Sequence, residues 1–210
     1  MARPTTPLLS REQILRAGLA QVDRTGSLGL PGLARELGVS TSSLYHHVKG
    51  GREEVVEGIR GLLSVEGMTR ERLPGEDWRA FTRRWAGGYR AAYAAHPAVV
   101  PLLTAQTVTH PATLASYEVL ADVLHEAGFG DEELLHAVTV LDCFVLGSAL
   151  DAGAPVQVWA DAGTEGSRLS RAIRATNAQP GDRSERAFHL GLESLLAGLE
   201  RLRDPAVAEE

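Results

Sequence analysis

From Ile14 to Leu202 the apolar residues return three and four positions apart, and no stretch sustains the alternation of a half-buried strand. That period confines the chain to packed helices. Ser10 and Gln13 have capping-box spacing ahead of Ile14, Leu15, Gly18, Leu19 and Val22, and Gly26 supplies a stop, which predicts a helix from Arg11 to Thr25. A shorter pattern, Leu30, Leu33, Ala34 and Leu37, begins with Pro31 in its first turn, where proline is tolerated, and ends at Gly38. A third helix covers Thr41 to Val48, and after Gly50-Gly51 a fourth runs from Arg52 to Met68. Pro74 and Gly75 then place a loop over Arg72 to Asp77.

Further amphipathic helices carry Trp78, Phe81, Trp85, Tyr89 and Tyr93, then Leu114, Tyr117, Leu120 and Leu124. A longer one, capped by Asp131, carries Leu134, Val138, Leu141, Val145 and Ala149 before Gly153 stops it. Residues 160–182, polar and rich in Gly, Ser and Ala, read as a mobile loop. The final helix, Ser184 to Arg203, repeats Phe188, Leu192, Leu195, Leu196, Leu199 and Leu202.

The 210 residues fit one large or two small domains. The net charge of -6 hides an asymmetry: residues 1–52 carry +4, leaving -10 for the rest. A small basic module on an acidic body suits a polyanion partner at one end. The single cysteine, Cys143, excludes an intrachain disulfide and a structural zinc site built on several thiolates. No stretch approaches the roughly 20 uncharged apolar residues that span a bilayer, and Met1 to Arg11 lacks the apolar core of a signal peptide. The expected location is the cytoplasm, with no membrane partner.

Helix, tight turn through Gly38, helix is the arrangement that lays a second helix into the DNA major groove. Thr41, Ser42 and Ser43 bring short hydroxyls to the helix N-terminus, where side chains reach base edges and free amides attract phosphate. Tyr45, His46 and His47 offer a phenol and imidazoles to phosphates, Lys49 adds a charge, and Leu44 and Val48 face inward. Plain helix capping explains the hydroxyls equally well. The whole string from Leu37 to Lys49, with its Leu44-Tyr45-His46-His47-Val48-Lys49 end, resembles the helix-turn-helix of the tetracycline-repressor (TetR) family. Trp78-Arg79-Ala80-Phe81, Ser116 to Phe129 and Leu134 to Asp151 resemble the regulatory domain of the tetracycline repressors themselves.

The resemblance implies an all-α protein. Residues 1–52 would form a helix-turn-helix DNA-binding domain, a helix over about 52–68 a link, and 53–210 a ligand-binding and dimerisation domain. It implies a homodimer that holds a palindromic operator until a small molecule enters the larger domain. Thr41, Ser42 and Ser43 would read bases, with Tyr45, His46, His47 and Lys49 on the backbone. Gly51 stands where the family often has a phosphate-gripping lysine, leaving Arg52 as substitute, and Pro31 replaces a base-contacting arginine. Tetracycline repressors hold their drug as a magnesium chelate, and the corresponding places here are Gln106, Thr109 and Asp151, the last from the partner subunit. An amide in place of the histidine argues against that chelate, and Gly67 replaces another histidine, so an aromatic, mostly uncharged effector is expected, with no metal and no cofactor.

Trp85, Tyr89 and Tyr93 suit either core packing or pocket lining, and His110 either a ligand contact or an exposed loop. Asp142 reads as a hydrogen-bonded buried or interface group and Cys143 as a small apolar filler. Helices 131–152 and 184–203 are expected to build a four-helix interface between two copies, with Leu195 and Leu199 in it and Gly191, Ala197 and Gly198 permitting close approach. Two rival readings have less in the sequence to carry them. A small helical enzyme lacks Gly-x-Ser-x-Gly, phosphate-loop and His-Glu-x-x-His motifs. A metal-sensing regulator would use His125, His136 and Cys143, whose spacings do not converge on one helical turn.

Overall fold

A computed structural model describes residues 9–155, 157–160, 167–179 and 181–203. Among them there is no strand. The first half holds α1 (Arg11–Thr25), α2 (Leu30–Glu36), α3 (Thr41–His47), α4 (Gly51–Gly67) and α5 (Trp78–Ala94). A 3-10 turn (Pro97–Val99) leads into the short α6 (Val100–Leu103). Then follow α7 (Pro111–Glu126), α8 (Asp131–Ala152), α9 (Arg168–Asn177) and α10 (Arg183–Arg203).

The capping box forms as its spacing dictates: Ser10 Oγ accepts from the Gln13 amide, and the Gln13 side chain accepts from the Ser10 amide. Gly38, at φ 68°, makes the left-handed turn between α2 and α3 that a side chain would resist. Leu33, Leu44, Val48, Val55 and Ile59 close a first core region, and Phe81, Trp85, Leu120, Leu124, Leu141 and Leu196 a second. The two are continuous through α4, which packs on α1 and also on α5, α6 and α7. Backbone meets backbone at one point of that packing, since a Cβ on Gly88 of α5 would lie 2.3 Å from the Gly67 carbonyl of α4.

Three expectations change. Residues 160–182 are not all loop: α9 occupies 168–177, its start capped by Ser167 Oγ accepting from the Ser170 amide. Leu169, Ala172, Ile173 and Thr176 share one side, beside Val158 and Trp159, a stripe diluted in sequence by Arg168, Arg171 and Arg174. Residues 161–166 and Pro180 of that predicted loop, and Arg3 of the basic module, lie outside the described residues. Secondly, Gly130 rather than Asp131 caps α8; Asp131 is its first helical residue, where its charge still complements the helix dipole. Thirdly, α8 is by length and composition alone apolar enough to cross a membrane. Its inner side packs on α5, α7 and α10, and Asp142 and Asp151 each hold polar partners.

Candidate functional site

Two buried residues fix the orientation of α3. Leu44 and Val48 have no exposure, so the opposite side of the helix faces outward. Ser42, Tyr45 and His46, at i, i+3 and i+4, are exposed and form one polar stripe, and Lys49, just past the end of the helix, is exposed as well. Thr41, Ser43 and His47 flank it, half-buried. The capping hydroxyl is that of Ser40, accepting from the Ser43 amide at 3.1 Å, which leaves the following three hydroxyls uncommitted to capping. Arg52 is exposed in the first turn of α4, and its Nε donates to the Leu28 carbonyl at 3.2 Å, fixing the guanidinium beside the entrance to α2. The eight predicted DNA residues thus lie on α3, just past its end at Lys49, and in the first turn of α4 at Arg52.

In the larger helical region a cavity of about 560 Å³, with the exposed Pro101, Thr104, Cys143 and Leu150 in its walls, opens between α4, α5, α6, α7 and α8. Val100, Leu103, Val108, Leu146 and Leu150 give it apolar walls, and Arg60, Gln106, Tyr89, Tyr117 and Asp142 supply its polar groups. The hydroxyls of Tyr89 and Tyr117 both donate to Asp142 Oδ1, that of Tyr89 at 2.8 Å. Burial first, then Tyr117 and the Asp142 charge for Tyr89 and the Asp142 charge and hydrogen bond for Tyr117, push both phenols well above their ordinary pKa, so they are neutral donors. Of the three aromatics singled out in α5, only Tyr89 reaches this wall. Trp85 is fully buried with its Nε1 donating to Ser116 Oγ at 2.9 Å, and Tyr93 packs edge-on to Tyr89 with its phenol pushed by burial to about 12.

The segment after α6 is tied to α4 by one ion pair. Glu57 Oε1 accepts from the Thr109 and His110 amides at 2.7 and 2.6 Å, and its Oε2 accepts from Arg60 Nε at 2.7 Å. Arg60 Nη2 donates to the carbonyls of Leu103 at 2.7 Å and Gln106 at 3.2 Å. Burial opposes the charge on Glu57, but the Arg60 hydrogen bond and the two amides outweigh it and hold the carboxyl below its usual range. Gln106, Thr109 and His110 also share a second cavity of about 580 Å³ with Arg11, Glu53, Glu54 and Glu57. Asp151 is elsewhere, at the end of α8, paired with Arg183 at 2.8 Å. Within one protomer, therefore, Gln106 and Thr109 come together and Asp151 does not join them. The sequence reading missed Glu57, Arg60 and Tyr117; the i, i+3 acid-base pair on the inner side of α4 was the available signal.

His110 closes this junction: its Nδ1 accepts from the Ala112 amide at the start of α7, and its ring lies against Gly61, where an added Cβ would be 2.2 Å from Nε2. Burial lowers its pKa below the ordinary 6.5, against the opposing pull of Glu57. The unfolded chain therefore takes up this proton first, and stability falls as pH drops below 6.5 toward the folded value. We expect a lower melting temperature at pH 5.5 than at pH 7.5, and a flatter profile in that window for His110→Gln. Parallel profiles for the two proteins would remove His110 as the cause.

Comparison with known proteins covers both regions. The tetracyclin repressor-like C-terminal domain family matches residues 72–203. Tetracycline repressor protein class D of Escherichia coli is 31% identical over 203 residues, covering 91% of this chain and 89% of its own. An HTH-type transcriptional regulator of Saccharopolyspora erythraea is 29% identical over 214 residues, covering 93% and 86%. The crystal structure of a possible TetR family regulator from Streptomyces coelicolor A3(2) has the same fold, with a TM-score of 0.76 at 24% identity over 92% of this chain and 100% of the other.

Proposed function

Because this chain belongs to the TetR family of ligand-responsive, DNA-binding transcriptional regulators, we propose that it is a homodimeric repressor released from a palindromic operator when a small molecule occupies the 560 Å³ cavity. Residues 1–52 form the DNA-binding domain, α4 the link, and the remainder the ligand-binding and dimerisation domain. Thr41, Ser42 and Ser43 meet base edges, and Tyr45, His46, His47, Lys49 and Arg52 grip the backbone on either side. Working on an operator places the protein in the cytoplasm. Family membership favours this regulator reading over a helical enzyme. Among the described residues, His125, His136 and Cys143 build no metal cluster.

The observation that carries the proposal is the double attachment of α4. One end follows directly on the reader helix α3, and its middle holds the 103–110 segment through Glu57 and Arg60. Gln106 lies in the walls of both cavities. A ligand that displaces Leu103 or Gln106 therefore pulls on Arg60 and shifts α4. In a dimer that shift changes the spacing of two reader helices, which must match grooves about 34–36 Å apart.

The effector is not the magnesium chelate of tetracycline. A neutral amide at Gln106 is a poor partner for that hard cation. The nearby imidazole is committed to capping α7, and Asp151 is committed to Arg183.

The test is a fluorescence-anisotropy titration against overlapping duplexes from the DNA flanking the protein's own gene, with unrelated duplex as competitor at physiological salt. Tight binding to one palindromic segment is expected, with affinity falling linearly with salt on logarithmic axes. Changing Ser43 and Tyr45 to Ala should cost roughly ten- to a hundred-fold on that segment. Equal weak binding to every duplex, untouched by those substitutions, would overturn the assignment of α3.

A further inference from the structure

The polar end of the 560 Å³ cavity is chemically unbalanced. Asp142 presents a carboxylate in its wall, and both hydrogen bonds it receives, from Tyr89 and Tyr117, fall on the same oxygen, Oδ1. A carboxylate has acceptor capacity for about four bonds. Among the described residues no Arg, Lys or His pairs with Asp142, and no hydrogen bond reaches its Oδ2. The one cationic side chain in the same wall, Arg60, is already neutralised by Glu57 and donates to the Leu103 and Gln106 carbonyls. The two tyrosines, neutral because buried, fix the position of the carboxylate without cancelling its charge.

A carboxylate held in place by two neutral donors, with its second oxygen open, is a ready partner for an arriving cation. The surroundings say what kind of cation. The half-buried Tyr117 brings an aromatic ring beside the carboxylate, a group that attracts positive charge, whereas Tyr89 is enclosed by Trp85, Tyr93 and Tyr117. Leu103, Val108, Leu146 and Leu150 line the rest, and the volume matches that of a drug-sized molecule. We propose that the cavity selects a small aromatic cation, its protonated nitrogen held at Asp142 Oδ2 and its ring system against the Leu103, Val108 and Leu146 wall. This deepens the effector reading above and rests on it. It departs from the expectation of an uncharged ligand, although Asp142 is hydrogen-bonded as its sequence context implied.

The proposal is tested on the intact protein without DNA, using two fluorescent probes that share one ring system and differ in charge, 9-aminoacridine and acridine-9-carboxylate. Anisotropy titrations should show the cation bound at least ten-fold more tightly than the anion. Asp142→Asn keeps an acceptor for the two tyrosines and removes the charge, so it should retain the wild-type melting temperature and lose that preference. Changing Glu53 and Glu54, in the other acidic cavity, to Gln should leave the preference unchanged. Equal affinities for the two probes in the wild type, a preference that survives Asp142→Asn, or one lost with Glu53 and Glu54 would each overturn the proposal. A failure of the regulator reading appears only in the operator titration, so the two failures are distinguishable.

Discussion

Arg60→Met is expected to lower the unfolding free energy by about 3–5 kcal/mol, the range for removing one member of a buried ion pair. Both side chains are nearly excluded from water, Arg60 at 7% and Glu57 at 14% of full exposure. Methionine fills similar space but leaves the Glu57 charge without its cation and the Leu103 and Gln106 carbonyls without their donor. Adding Glu57→Gln should restore a sizeable part of the loss, because the double variant buries no charge. Urea unfolding of the four proteins in a double-mutant cycle measures the coupling. A single variant within about 1 kcal/mol of wild type would mean that the pair is solvated and ties nothing to α4.

The reader helix was legible because its signals are local. Gly38 makes the turn, Ser40 caps, and Leu44 and Val48 set the inward side, all within eleven residues. The Glu57–Arg60 junction was not, since its partners are backbone groups 43 to 53 residues away, and backbone groups leave no trace in composition. Small residues were ambiguous for a related reason. Gly191 reads as a point of close approach for a second copy, yet a Cβ there would lie 2.5 Å from Phe144 Cε2, so its smallness serves packing of α8 on α10 within the protomer. Leu199 likewise belongs to the protomer's own core, at 4% exposure. Periodicity identified the apolar positions of α10 but not which of its two apolar sides turns inward.

That last distinction decides how the dimer is tested. Leu190→Glu combined with Ala197→Glu is expected to convert a dimer into a folded monomer. Leu190 is 72% exposed and Ala197 lies two turns further along the same exposed side of α10. The outward side of α8 continues the surface with Val140, Cys143, Gly147 and Leu150. A Cβ added to Gly147 or Gly198 meets nothing within 4 Å in the protomer, so their smallness is left for an approaching helix. We propose that this surface is closed by the same surface of a second copy. Burying a leucine contributes about 1.5–3 kcal/mol, and a two-fold interface counts each position twice. Losing Leu190 alone should therefore raise the dimer dissociation constant by roughly a hundred-fold or more, before the carboxylates add their repulsion. Sedimentation velocity should show the monomer mass with helix content unchanged by circular dichroism, and operator affinity should collapse because one reader helix can no longer position the other. The contrasting variant, Leu199→Asp, should lose helix content instead, since it buries a charge in the protomer core. An intact, soluble dimer of the Leu190 and Ala197 variant at micromolar concentration would sink the assignment of the interface to α8 and α10.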